Sequence, residues 1–303
     1  MWFKNLQVYR CPAPWNISAS SLEEQLGRYA FRGIAGYETQ TQGWASPRDD
    51  GGLAHTVNSQ MLISLCTEKK LLPASVIKDM TKAKAKEAED SQGYKPGRKQ
   101  LRELKQQVTD ELLPRAFNVR RHTPIWIDPA NGWLVIDAGS PGKAEEILAV
   151  LHKSVGDFAF ERVDTATSPG AAMTAWLANN DVPRGFSIDQ DTELQSPVEE
   201  KATVRFVRHA LDPKEVQRHI AAGKQCTRLA LTWADRVSFV LTESLVLKRI
   251  APVAVIREGE DVQAQNDDER FDADFMLMTG ELRGLITDLV EALGGLQDGA
   301  AKK

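Results

Sequence analysis

Alternating hydrophobic and polar residues predict several β-strands along this 303-residue chain. Residues 2–10 alternate in this way, and residues 123–138 form two alternating runs joined around Pro-Ala-Asn-Gly, the pattern of a β-hairpin. A second hairpin is predicted where CTRLALTW is followed by RVSFVLTE. Further strands are predicted near residues 60–66 and over 201–210.

Apolar residues three or four positions apart predict helices between these strands. The segments with this spacing are residues 22–31, 143–155, 171–178, 212–224 and 271–295. Strands and helices are interleaved irregularly, with hairpins instead of repeated crossovers. We therefore predict an α+β fold and not a doubly wound sheet.

Residues 73–117 predict a projecting helical hairpin. One helix starts at Pro73 and fades into Gly93 and Pro96, and a second begins near Gly97. The apolar content is low, so this tip has little core of its own. We divide the chain into three segments. Residues 1–72 form the first part of a central and base α+β body, and residues 73–117 form the tip. Residues 118–303 form the second part of the body, which ends in an acidic helix.

The composition is that of a soluble globular protein, with 42% hydrophobic and 26% charged residues. Cys11, Cys66 and Cys226 lie far apart without a Cys-x-x-Cys motif, which favours reduced thiols in the cytoplasm. The first residues lack the apolar run of a signal peptide, and no stretch has the length of a membrane span. We expect a soluble cytoplasmic protein that does not bind membranes.

The net charge of −4 hides a segregation of charge. Residues 81–105 carry eight basic and four acidic residues, whereas residues 258–298 carry twelve acidic residues and only two arginines. Local fields govern binding, so the acidic average does not exclude a DNA-binding surface. A solvated basic helix face beside an acidic helix explains the charges equally well.

Two segments resemble catalytic motifs. Residues 133–146 place a Gly-rich turn and Lys143 between a strand and a helix, the order of a phosphate-binding loop. That motif needs a glycine where Asp137 stands. Ser140 as the cap of the helix explains the segment instead. Asp272 and Asp274 could hold a divalent metal, or they could simply favour the start of the last helix. We expect no enzyme, no cofactor and no metal.

Basic residues in two regions are candidates for DNA contact. Those of the tip lie on its two helices, and those of the second region lie on the predicted strand 201–210, where arginines flanked by apolar residues suit phosphate contact. An ordinary exposed strand would also account for the second group. The candidates are Lys82, Lys84, Lys86, Arg98, Lys99, Arg102, Arg205, Arg208 and His209.

The stretch LLPRAFNVRR, residues 112–121, is too short for a core strand and too basic for a buried turn. Pro114 should end the tip helix and leave Phe117 presented outward beside Arg115, Arg120 and Arg121. An aromatic side chain rimmed by charge suits a small symmetric interface. The alternative is that Phe117 packs back onto the core of its own subunit.

Several blocks, in order along nearly the whole chain, resemble the bacterial recombination-associated RdgC family; the most specific are LLPRAF and RFDADFMLMTGEL. The resemblance implies a fold found in that family alone, with a central body, a base and a projecting tip. It implies a nucleoid-associated homodimeric ring that encircles duplex DNA without sequence preference, also binds single-stranded DNA, and limits RecA-driven strand exchange.

The resemblance also assigns residues. It places the gate aromatic of the dimer on Phe117, beside which the local sequence puts Arg115 as a second interface candidate, and a second functional pair on Arg208 and His209, where this chain has Arg-His in place of Lys-Gln. We therefore expect a non-enzymatic DNA-binding ring. A metal-dependent nuclease built on Asp272 and Asp274, and a protein–protein adaptor without DNA binding, are the alternatives.

Overall fold

The computed structural model describes residues 2–11, 17–48, 51–156, 159–198, 202–208, 212–253 and 266–297. Seven α-helices lie within these ranges: α1 (Ala19–Gly27), α2 (Ala74–Gln92), α3 (Arg98–Leu112), α4 (Pro141–Val155), α5 (Pro169–Asn179), α6 (Pro213–Ala221) and α7 (Asp267–Ala292). The same ranges contain twelve β-strands: β1 (Asn5–Arg10), β2 (Gln40–Ala45), β3 (Ala54–Val57), β4 (Gln60–Leu71), β5 (Phe117–Asp128), β6 (Trp133–Ile136), β7 (Glu161–Arg162), β8 (Phe186–Gln195), β9 (Thr203–Phe206), β10 (Gln225–Trp233), β11 (Val237–Thr242) and β12 (Val246–Pro252).

The strands form one antiparallel sheet in the order β2-β4-β5-β6-β1-β12-β11-β10-β8-β9. The short strands β3 and β7 pair with β4 and β1. Both predicted hairpins are present as β5–β6 and β10–β11. The α+β prediction is confirmed.

Two hydrophobic cores lie on opposite faces of the sheet. Adjacent residues of a strand point to opposite faces. Ile125 and Ile127 of β5 therefore join the core beneath α1 and α4, while Trp126 joins the core beneath α5 and α7. The helices cover the first face only near β1, β4, β5 and β6. As a result, among the described residues the first face of β8–β12 is left open as a cleft.

The helical hairpin α2–α3 projects between β4 and β5. It contains one buried residue, Val108, and no residue of α2 is buried. Polar contacts join the two helices instead: Lys84 Nζ lies 2.6 Å from Glu111 Oε1, and Gln100 Nε2 donates to Gln92 Oε1 at 2.9 Å. The low burial of the residues in α2 and α3 confirms the prediction of a tip with little core. The division of the chain into domains stays a prediction.

Two segments differ from the sequence predictions. Residues 117–121, part of the stretch predicted to be too short for a core strand, form the exposed start of the 12-residue strand β5, because β4 extends to Leu71 and pairs with it as far as Phe117. Of the strand predicted over 201–210, the described residues 202–208 form strand at Thr203–Phe206. The predicted alternation of side chains ends at Arg208, because its φ of +51° lies outside the range of β-strands. The Ser140 cap is confirmed, since its Oγ accepts the Lys143 N–H.

Candidate nucleic-acid interface

The open face of β8–β12 forms a cleft of about 430 Å³ in which cations outnumber carboxylates. Four cationic side chains from three strands converge there, against two acidic ones, and the rim continues onto β1 and Gly139, which precedes α4. The charged lining residues are Arg205, Arg228, Lys248, Arg249, Asp191 and Glu193. The cleft therefore carries a net positive charge although the chain as a whole is negative.

A cross-strand ladder organises one side of this cleft. Glu193 of β8 lies opposite Arg205 on β9 and opposite Arg228 on β10. Its carboxylate accepts a hydrogen bond of 2.6 Å from Arg205 Nε and lies 3.7 Å from Arg228 Nε. The arginine side chains remain 64% and 51% exposed, so the buried carboxylate orients them without covering them.

The pKa of Glu193 reflects this setting. Burial alone would raise it, but hydrogen bonds from the Thr227 hydroxyl and from Arg205, with the charge of Arg228, hold the pKa below its ordinary value. Glu193 is thus an anion under physiological conditions. The ladder keeps one negative charge between two positive ones.

Arg208 lies at the edge of this region, where the chain turns away from β9. Its backbone N–H donates to Asp191 Oδ1 at 2.9 Å, and its side chain is exposed. Arg249 Nη1 lies 3.2 Å from the other oxygen of the same carboxylate. His209, the second residue of the predicted pair, lies outside the described residues.

The tip cations form a separate group. Lys82, Lys86, Arg98, Lys99 and Arg102 are exposed on α2 and α3, and none of them lines the cleft. Lys84 differs because it pairs with Glu111, whose pKa is lowered chiefly by the hydrogen bond from Lys84. This lysine is therefore a structural link between the helices as well as a surface charge.

Phe117 stands at the far end of the β4–β5 ribbon with 82% of its surface exposed. Its cross-strand partner Leu71 is 56% exposed, and Val119 on the same face is 38% exposed. The alternative that Phe117 packs onto its own core is wrong. Arg115, in the 3-10 turn Leu113–Arg115, lines a neighbouring groove with Met80 and other residues of the hairpin.

Arg120 was predicted beside Phe117 but points to the opposite face of β5, as strand alternation requires. Its Nε donates to Glu68 Oε1 at 2.6 Å, and the second carboxylate oxygen accepts the Ile34 N–H at 2.7 Å. These bonds, the backbone one foremost, lower the pKa of Glu68. Arg120 therefore anchors the loop that follows α1.

The acidic pair of the nuclease alternative lies near the start of α7. Asp272 Oδ1 is 2.8 Å from His55 Nε2, whose ring packs against Phe271. No group of three or more metal-ligating side chains that could hold an ion occurs in the residues that the structure describes. Helices long and apolar enough to cross a membrane are likewise missing from that part of the chain.

Sequence reasoning missed Arg228, Lys248 and Arg249. Arg228 is a single basic residue in an apolar strand, and Lys248 and Arg249 are an adjacent pair in another, patterns also expected of exposed sheet positions. Only the register, which places Arg228 against Glu193 and Lys248 against Asn5, brings them to one cleft.

These features define a class: an antiparallel α+β protein with a cationic cleft on one sheet face and an exposed aromatic at the end of a ribbon. Over residues 1–296 the chain matches the family described as "Putative exonuclease, RdgC". It is 60% identical over 297 residues to "Recombination-associated protein RdgC" of Herminiimonas arsenicoxydans, covering 98% of this chain and 99% of the relative. It is 59% identical over 295 residues to the proteins of the same name from Janthinobacterium sp. (strain Marseille) and Cupriavidus necator, covering 97% of this chain and 98% and 99% of those relatives. The chain belongs to the RdgC family, whose curated members are named for an association with recombination.

Proposed function

We propose that this protein binds DNA without sequence preference as a ring-shaped homodimer around the duplex, and so limits RecA-dependent recombination in the bacterial nucleoid. It also binds single-stranded DNA, and it acts without catalysis or a cofactor. The observation that carries the proposal is the cleft on the open sheet face, where Arg205, Arg228, Lys248 and Arg249 are gathered.

The chemistry of the cleft suits phosphate backbones. Guanidinium groups bind phosphate oxygens through paired N–H donors and stay charged at every physiological pH. Contacts to phosphates position a protein on DNA but carry no sequence information, so the proposed binding is indifferent to sequence. A protein that occupies the backbone in this way limits strand exchange by occupying the DNA that RecA needs.

The exposed ribbon end supports the dimer. Phe117 and Leu71 are adjacent apolar side chains with most of their surface free, and large exposed apolar groups mark interaction sites. In a twofold dimer the same patch serves both subunits. The ring thus closes through the tip region, with Phe117 and Arg115 at the contact.

A salt series tests the DNA-binding proposal. If about five phosphates are neutralised, log affinity falls against log salt with a slope of roughly −4 to −5, a loss of about 10²- to 10³-fold between 50 and 200 mM salt. Gel-shift or anisotropy titrations with two unrelated duplexes would measure it. A flat salt response, or one strongly preferred duplex, would contradict the proposal.

A charge-removal variant locates the DNA path. Replacing Arg228 and Arg249 by alanine should reduce the salt slope by about 1.8, because each phosphate contact contributes about 0.9. The matched control is Arg28→Ala at the C-terminal end of α1, an exposed arginine that pairs with Glu24 four residues earlier, which should leave the slope unchanged. If the double variant and the control behave alike, the cleft is not the path.

The family description gives the nuclease alternative a specific basis, since it contains the word exonuclease. Labelled duplex incubated with magnesium or manganese separates the two functions, because a binding ring leaves the DNA intact. Shortened products that disappear in Asp272→Asn would favour the nuclease. Failure to retain any DNA would favour the adaptor, and strand exchange by RecA at rising protein concentration tests the proposed inhibition.

A further inference from the structure

Three irregularities of the sheet meet at a single carboxylate, that of Asp191. Between the pairs Thr192–Leu229 and Ile188–Leu231, three residues of β8 lie opposite one residue of β10. Between the pairs Ser238–Ala251 and Val240–Lys248, β12 has one residue more than β11, a β-bulge that contains Arg249. The third irregularity is the turn at Arg208 after β9.

Both arginines bound by Asp191 have backbone conformations that residues other than glycine rarely adopt. The φ angles of Arg208 and Arg249 are +51° and +54°. Residues other than glycine stay in this region only where surrounding contacts hold them, and such positions cluster at functional sites. A bulge changes the direction in which a strand's side chain points.

The contacts of Asp191 stabilise the backbone conformations of both arginines. One oxygen accepts the Arg208 N–H at 2.9 Å and the other pairs with Arg249 Nη1 at 3.2 Å. The carboxylate is 31% exposed, while the Arg249 side chain is 76% exposed. The carboxylate thus lies low in the cleft and the guanidinium extends from it toward solvent.

We propose that Asp191 is a positioning residue of the cleft: by fixing the Arg208 turn and the Arg249 bulge together, it presents both arginines to DNA phosphates. The inference rests on the proposed DNA binding and goes beyond it. It assigns a favourable role to a negative charge inside an anion-binding surface. Charge alone predicts the reverse, that removing Asp191 would strengthen DNA binding.

The positioning role and the charge effect predict opposite changes in DNA affinity when Asp191 is replaced. Asp191→Asn keeps the shape of the side chain but removes the ion pair with Arg249, and Asp191→Ala also removes the acceptor for the Arg208 N–H. The matched control is Asp189→Asn, two residues earlier on β8, because Asp189 lines the adjoining cleft and accepts a bond only from the Thr232 hydroxyl among the bonds that the structure describes for it. Both variants lose one negative charge from the same strand.

We expect Asp191→Asn to weaken binding of a 30-base-pair duplex about 5- to 10-fold at 0.1 M salt and to lower the salt slope by about one, the change for one lost phosphate contact. Asp191→Ala should lose about two contacts. Asp189→Asn should bind as tightly as wild type or more tightly. Partial unfolding of a variant would reduce the active fraction without changing the slope, so the slope separates positioning from a structural role.

Two results overturn the inference. If wild type binds with the expected salt dependence but Asp191→Asn matches Asp189→Asn in affinity and slope, Asp191 does not position the arginines and only this inference fails. If wild type shows no salt-dependent binding, the proposed function fails and the inference fails with it.

Discussion

Replacing Phe117 by serine tests the proposed dimer contact most directly. A phenylalanine side chain can bury roughly 200 Å². Phe117 is 82% exposed in the single subunit, which leaves about 160 Å² for a partner surface. At about 25 cal/mol per Å² this area corresponds to an upper value of about 4 kcal/mol. We expect a loss of about 2–4 kcal/mol at that contact, the scale of an interface hot spot, or roughly 30- to 700-fold in its affinity.

The same exposure predicts that the subunit itself is unaffected. Surface substitutions change the free energy of unfolding by no more than about 0.5 kcal/mol, so circular dichroism and thermal unfolding of Phe117→Ser should match wild type. The matched control is Val198→Ser, because Val198 is 87% exposed and lies beyond the end of β8, away from the ribbon.

The assay is retention on DNA after a challenge with excess competitor. A closed ring cannot leave a covalently closed circle without opening, so wild type and Val198→Ser should stay on circular DNA much longer than Phe117→Ser. Analytical ultracentrifugation should show weaker association for Phe117→Ser alone. Unchanged association and equal retention on circular DNA would refute the assignment of Phe117 as the closing contact.

Two further predictions concern the framework of the cleft. An added Cβ at Gly284 of α7 would lie 2.8 Å from the Trp233 ring, whereas one at Gly280, four residues earlier, would meet nothing within 4 Å. Thermal unfolding should therefore show Gly284→Ala destabilised by about 1–3 kcal/mol and Gly280→Ala stabilised by about 0.5–1 kcal/mol. Similar values for the two variants would contradict this packing. Because the folded state lowers the pKa of Glu193, the stability that its pairing with Arg205 contributes is present above the ordinary pKa of about 4.5 and is lost as pH falls below it. The difference in melting temperature between wild type and Glu193→Gln should thus be largest near pH 7 and shrink toward pH 3, and a difference independent of pH would contradict it.

The local pattern of the chain predicted much of the fold. Alternation predicted the hairpins β5–β6 and β10–β11, and the 3.6-residue period predicted the helices, because each depends on residues close in sequence. The low apolar content of residues 73–117 predicted a projecting hairpin. Phe117 was correctly predicted to face outward, although for a reason that the structure corrects: it lies on a strand whose pairing extends past the core.

The cationic cleft depended on the tertiary structure. Arg228 and the adjacent pair Lys248 and Arg249 lie in separate apolar strands, and only strand register brings them together with Arg205. The pairings that place Arg228 opposite Glu193 and Lys248 opposite Asn5 are long-range, because they join strands that are not consecutive in the chain. The turn at Arg208 also broke the predicted alternation, since its N–H binds the carboxylate of Asp191 instead of a neighbouring strand. By itself, the sequence determined which segments are strands and helices and which charges the protein carries; the tertiary structure decided where those charges meet, because a cleft between strands depends on pairings that no local pattern encodes.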